Sequence, residues 1–242
     1  MRQSLIKSGS RADFIALIGF SQNDTDPFKS DLDLLSSHGI ITHILPRLLD
    51  SAHDLNFAEM ALLKITPWSF VQYDKIQFFD GDVMPLQNMD CWFQLEVNTF
   101  TVGAVSPLNS GWYLALPDLN AYKIMKEKAI WRLMRDWDPI FGWKETMPPS
   151  LSVRGGKPVG KWEFNGADMD QGLLTHIFII NQGKGMLVDT VLKTAKLYEK
   201  GLIKSPEVTL TFQKALSCCR GHSPLKYFAH FTGKDFTALS LK

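Results

Sequence analysis

At 242 residues the chain is long enough for one sizeable α/β domain, or at most two small ones. Hydrophobic residues make up 45% and charged residues 21%, an ordinary globular balance. A formal charge of +1 gives no electrostatic case for nucleic acid or an anionic membrane, and no apolar run approaches the length of a membrane span.

The opening reads as the end of a helix, a turn at Ser8 to Ser10, and a strand at Phe14 to Ile18. Asp31 to Ser37 is helical in pattern, Gly39 ends it, and Ile40 to Leu45 is a second apolar strand. Asn56 caps a helix to Ile65, and Lys75 to Phe79 is a third strand that runs into Asp80 and Asp82. Short strands follow at Thr99 to Val105 and Gly111 to Leu116, then a long helix capped by Asp118. Residues 138–165, rich in proline and glycine, read as an ordered loop or lid, because Trp143 and Trp162 are costly to leave in water. Helices are expected at Gln171 to Ile180 and around Asp189 to Lys200, and a last strand at Lys226 to Phe231. This alternation predicts one domain spanning 1–242, with a mostly parallel sheet covered on both faces and a small antiparallel portion.

Cys91, Cys218 and Cys219 are an odd set with two adjacent members, a poor disulfide framework that leans toward unpaired thiols. Cys218-Cys219 with His222 lacks the second ligand pair of a zinc site.

Asp80 and Asp82 carry the chemical signal. Residues two apart on a strand share a face, so two carboxylates at a strand end can grip one cation that also touches phosphate. The alternative is that they start a turn around Gly81. An apolar strand entering Asp-x-Asp also opens the haloacid-dehalogenase-type phosphatases, in which the first aspartate is the nucleophile; Asp168 and Asp170 could imitate their acidic pair.

The flanking residues point elsewhere. Lys64, Trp68, Tyr73 with Lys75, the Asp80-Gly81-Asp82 triplet, and Asn88 with Asp90 stand in one segment. Three blocks follow in order: LNSGWYLALP from Leu108, DQGLL from Asp170, and HFTGK from His230. Together they resemble the family 8, glycogenin-like glycosyltransferases, a likeness that covers nearly the whole chain.

That resemblance implies a single GT-A-type, Rossmann-like domain and a metal-dependent, retaining transfer of a hexose from a UDP-sugar. Asp80, Asp82 and His230 would hold Mn2+ (or Mg2+), the imidazole favouring manganese. Lys64, Gly81, Asn109, Ser110, Gly233 and Lys234 would meet the donor, and Asp170 and Gln171 would steady the reacting sugar. It also implies departures. Ala167 stands where many relatives carry an aspartate, with only Asn165 or Asp168 to substitute, and the chain starts in what reads as the helix after the first nucleotide-binding strand.

The acceptor, a glycan or a protein, is not specified, and homodimerisation is left open. Localisation is open too: cytoplasmic, or Golgi-lumenal if a longer N-terminus carries an anchor. The alternatives are a catalytically impaired transferase-like binding module and an Asp80-dependent phosphohydrolase. Trp112, Trp143 and Trp162 are the expected pocket walls.

Overall fold

The computed structural model describes residues 1–19, 29–49, 56–103, 106–148, 151, 160–181, 184–188, 195–199, 202–204 and 228–230, the last three groups as backbone. Helix α1 (Arg2–Lys7) leads to strand β1 (Ile15–Ile18), α2 (Lys29–Ser37) and β2 (Ile41–Ile44). Helix α3 (Phe57–Leu62) begins where the Asn56 side chain accepts a hydrogen bond from the Glu59 amide, as its residue type predicts. It then tightens into a 3-10 stretch, Leu63–Ser69, because Pro67 lies inside it and has no amide to continue an α-helix.

Strands β3 (Ile76–Phe79), β4 (Val83–Pro85), β5 (Asn98–Thr101) and β6 (Asn109–Ala115) come next, then α4 (Leu119–Leu133). Asp118 caps α4 by accepting from the amides of Asn120 and Ala121. Helix α5 (Asp170–Leu174) runs on as a π-helical turn, Thr175–Asn181, followed by β7 (Lys184–Val188), β8 (Ala195–Glu199), β9 (Leu202–Lys204) and β10 (Phe228–His230).

The class is mixed α/β, but the sheet is not the mostly parallel one expected. Its main body has the order β3-β6-β5-β7-β8-β9, beside two-stranded sheets β1-β2 and β10-β4. Only β1-β2 and β5-β7 pair in parallel among the described strands. The sequence pattern misled because strand direction is decided by the connection: β5–β6, β7–β8 and β8–β9 are consecutive strands on short connections and pair antiparallel, whereas the long helical connection from β6 to β7 leaves β7 parallel to β5. The helix expected around Asp189 to Lys200 is corrected for the same reason: Ala195–Glu199 is strand β8, paired on one side with β7 and on the other with β9. Residues 189–194 lie outside the described residues.

Burial follows the strand period of two. On β6, Tyr113 and Ala115 join one apolar cluster while Trp112 and Leu114 join another. On β7, Leu187 belongs to the first, and Met186 and Val188 to the second. The sheet is thus covered on both faces. The first cluster lies beneath α3, α4 and α5 and contains a stack in which Trp68 sits 5.0 Å from both Tyr113 and Phe178. The second gathers Leu5 of α1, Val83, Trp92 and Leu95.

Trp112, Trp143 and Trp162 are each at most 1% exposed, so they are first of all core residues rather than open pocket wall. The expectation for the 138–165 loop holds to that extent: its tryptophans are buried. Cys91 corrects the thiol reading, since it is disulfide-bonded, with a partner outside the described residues.

Several residues of the motif-bearing segment do structural work. Asp90 accepts from the Ser10 hydroxyl and the Arg11 amide, and Asn88 donates to the Ser8 carbonyl, which fastens the α1–β1 turn to the segment after β4. Lys75 reaches the Phe93 carbonyl and pairs with Glu96.

Candidate functional site

Three sequence blocks converge at the end of β3. Pro67 tightens the chain after α3, and within that 3-10 stretch Leu63 and Ile65 go into the core while Lys64 turns toward the strand end. Its ammonium lies 2.6 Å from Asp80 Oδ2 and 3.3 Å from Asp170 Oδ2. The Ser110 hydroxyl, on β6, donates to the same Asp170 oxygen at 2.6 Å. The Asp80 amide donates to the Gly111 carbonyl at 2.9 Å, the contact that registers the end of β3 against β6.

Asp80 to Val83 is a turn, closed by the Val83 amide on the Asp80 carbonyl at 3.0 Å. The two aspartates are therefore not successive members of one strand face, and the turn alternative describes their backbone correctly. They remain coupled in charge: Asp82 is half-buried and its carboxylate works against ionisation of Asp80. At Gly81 an added Cβ would meet nothing within 4 Å, so the space over the turn is open.

Charge balance in this node is unequal. Burial is the largest influence on Asp80 and pushes its pKa above the usual carboxylate value; Lys64 opposes the rise, while Asp170 and Asp82 add to it. For Lys64, burial works against the ammonium, but Asp170 and Asp80 outweigh it and hold the pKa above 10.5. One cation thus serves several carboxylates, an arrangement with capacity for a further positive charge.

Of the other expected site residues, Gln171 is placed by the Ser106 hydroxyl, 2.7 Å from its amide oxygen. Asn109 bonds locally, its side-chain oxygen accepting from the Gly111 amide, so that atom shapes the turn. Asp170 lies in the first turn of α5 behind Met169, which takes the N-cap position itself.

His230 is on β10, in register opposite Val83 of β4, the residue after Asp82. Gly233, Lys234 and His222 lie outside the described residues. The two residues weighed as substitutes for the absent aspartate lie in different surroundings. Asp168 is taken by Arg132 at 2.7 Å and Asn165 is exposed, while the carbonyl of buried Ala167 receives the Trp143 indole N–H.

Sequence reading missed Tyr113. Fully buried, it donates its phenol to the Lys64 backbone carbonyl at 2.5 Å, and burial, Asp80 and Asp170 together hold its pKa well above 10. The alternation of β6 could have revealed its inward direction, but not the residue it would reach.

Chemically, the site combines a lysine with carboxylates able to bind a hard cation and a neighbouring polar helix start. Among the described residues no three His, Cys, Asp or Glu side chains form a metal-binding group. Asp80 and Asp82 are two carboxylates at one turn, the donor type a hard divalent ion takes, and the backbone of His230 lies on the strand paired with Val83 beside them. No protein-family model matches the chain, and no curated protein matches it.

Proposed function

We propose that the chain is a GT-A-type, metal-dependent, retaining glycosyltransferase that moves a hexose from a UDP-sugar to an acceptor hydroxyl. The observation that carries this reading is the joining of Lys64, Asp80, Ser110 and Asp170 in one hydrogen-bonded node, drawn from three separate motif blocks. A purely structural ion pair needs one partner for the lysine. Here the lysine is shared by two carboxylates at the open end of a strand.

In this reading Asp80, Asp82 and His230 would hold Mn2+ or Mg2+, which would supply Lewis-acid chemistry toward a diphosphate leaving group. Lys64 exchanges part of its contact with Asp80 for the donor's phosphate or sugar, and its raised pKa keeps it cationic while it does so. Asp170, oriented by Ser110, and Gln171, oriented by Ser106, hold the sugar as the bond to the leaving group lengthens. The acceptor hydroxyl attacks from the leaving-group face, and the diphosphate oxygen takes its proton, so no dedicated base is required. By the family resemblance, Gly233 and Lys234 would meet the donor as well.

The test is UDP titration by calorimetry with and without Mn2+. Manganese-dependent binding that disappears in Asp82→Ala supports the transferase. A folded protein that binds no UDP under either condition is an inert module instead. Phosphatase turnover lost in Asp80→Asn, without UDP affinity, establishes the hydrolase.

A further inference from the structure

Beyond the charged node, the chain leaving α4 builds a second concave surface. Trp131, Arg135, Asp136, Trp137, Phe141 and Lys144 are the main lining of a cleft of about 430 Å³, within the size range of small-molecule sites. Three cations lie over its indoles. Arg135 and Lys144 stand 5.1 and 4.8 Å from the Trp131 ring, and Arg132 stands 5.4 Å from that of Trp137.

Phe141 is 70% exposed, and the backbone around it is fixed in a way that keeps it so. Gly142 has φ +45, and a Cβ there would stand 2.0 Å from Trp162 Cδ1, so only glycine fits against the buried indole. Lys144 takes φ +68, an uncommon conformation for a residue with a side chain. The Gly142 amide bonds Asp138, the Lys144 amide bonds Phe141, and the Trp162 amide bonds Pro139. A strained, hydrogen-bonded turn that presents an aromatic ring to water is the kind of feature that accompanies ligand contact.

We propose that this cleft is a binding subsite for a neutral oligosaccharide. The exposed Phe141 ring offers an apolar face to the C–H side of a sugar, beside indoles that carry cations. Its charged groups are mixed in sign, Arg132, Arg135 and Lys144 against Asp136 and Asp138, and Arg132 is already paired with Asp168, so donors and acceptors lie side by side with little net field for a polyanion. That pairing suits hydroxyl groups, each of which donates and accepts.

The cleft is tied to the proposed reaction centre. Arg132 on its wall holds Asp168 at 2.7 Å, two residues before Asp170 and therefore at most about 7.6 Å away along the Cα trace. Identification of the bound glycan as the acceptor rests on the transferase reading; binding in the cleft does not.

The experiment titrates the whole chain with maltoheptaose and xylohexaose as neutral probes and heparin as an anionic one, by NMR and calorimetry. The expected result is salt-insensitive binding of a neutral probe, weakened about tenfold by Phe141→Ala and unchanged by Asp82→Asn. Arg135→Ala should weaken it as well, by removing a cation from the indole wall. No binding of either neutral probe, equal binding by Phe141→Ala, or binding of heparin alone overturns the proposal. UDP titrated into the same samples separates the two readings. Oligosaccharide binding without UDP binding leaves the cleft standing and removes the transferase; UDP binding without oligosaccharide binding does the reverse.

Discussion

Asp170 and His176 lie six residues apart on one continuous helical segment, both almost completely buried, yet the fold treats them in opposite ways. Asp170 opens α5 with Lys64 at 3.3 Å and the Ser110 hydroxyl at 2.6 Å. His176 lies on the π-helical continuation, 3.1 Å from Glu145 Oε2, but neither ring nitrogen has hydrogen-bond geometry to any partner. Burial, with Lys128 adding to it, lowers the His176 pKa to about 3, so the imidazole stays neutral, whereas Lys64 is held charged. The contrast separates two uses of buried polarity: a charge network directed at an open strand end, and a neutral ring filling space beside Trp162.

The largest effect is expected from Lys64→Met. It leaves Asp80 and Asp170 facing one another without their cation, at a cost of about 3 kcal/mol in denaturant unfolding. If the charges are the cause, adding Asp80→Asn to Lys64→Met restores much of the loss, while Asp80→Asn with Lys64 intact does not stabilise. A Lys64→Met protein as stable as the wild type would show that the node carries no such coupling. The same lysine sets an alkaline limit. Its raised folded pKa gives stability that is fully present below 10.5 and lost as pH rises through the folded value. A pH series of urea midpoints in wild type and Lys64→Met should therefore converge above pH 10.5.

Gly172→Ala comes next and probes the helix that joins the two sites. Its Cβ would stand 1.7 Å from the Ala167 carbonyl oxygen, so α5 must move, at about 2 kcal/mol. Because Asp170 moves with it, Mn2+-dependent UDP affinity should fall together with the thermal midpoint. A lower midpoint with unchanged UDP affinity would detach Asp170 from donor binding.

His176→Phe should change neutral-pH stability least, by about 1 kcal/mol or less in either direction, since it removes ring nitrogens that make no hydrogen bond. Its effect lies in acid. The lowered folded pKa makes the wild-type contribution fully present above 6.5 and lost as pH falls toward about 3. The variant should lose less stability than wild type over that interval, followed by circular dichroism at fixed urea. Parallel acid curves would assign the acid loss to other groups, such as Glu59. Its pKa is lowered because Arg47 and the amides of Leu48 and Leu49 together outweigh burial.

Much of the candidate site was legible before any coordinates, because its residues occur in recognisable local patterns. Lys64, Asp80, Asp82, Ser110, Asp170 and Gln171 could all be named from three sequence blocks. What those blocks did not reveal was the bonding among them. Ser110, expected to touch a sugar, holds Asp170, and Asn109 bonds its own turn. Tyr113 and Arg132 went unnoticed because their partners, Lys64 and Asp168, are remote in sequence.

The amino-acid sequence alone determined what short-range physics decides: Asn56 and Asp118 as helix caps, Pro67 as the end of regular α-helix, and the two-faced alternation of β6. Tertiary structure decided strand direction and order, the conversion of Ala195–Glu199 from an expected helix to a strand, and the pKa of each buried group. The division has one physical reason. Caps and side-chain alternation depend on neighbours a few residues away, whereas pairing and charge environment depend on surfaces that exist only once distant segments meet.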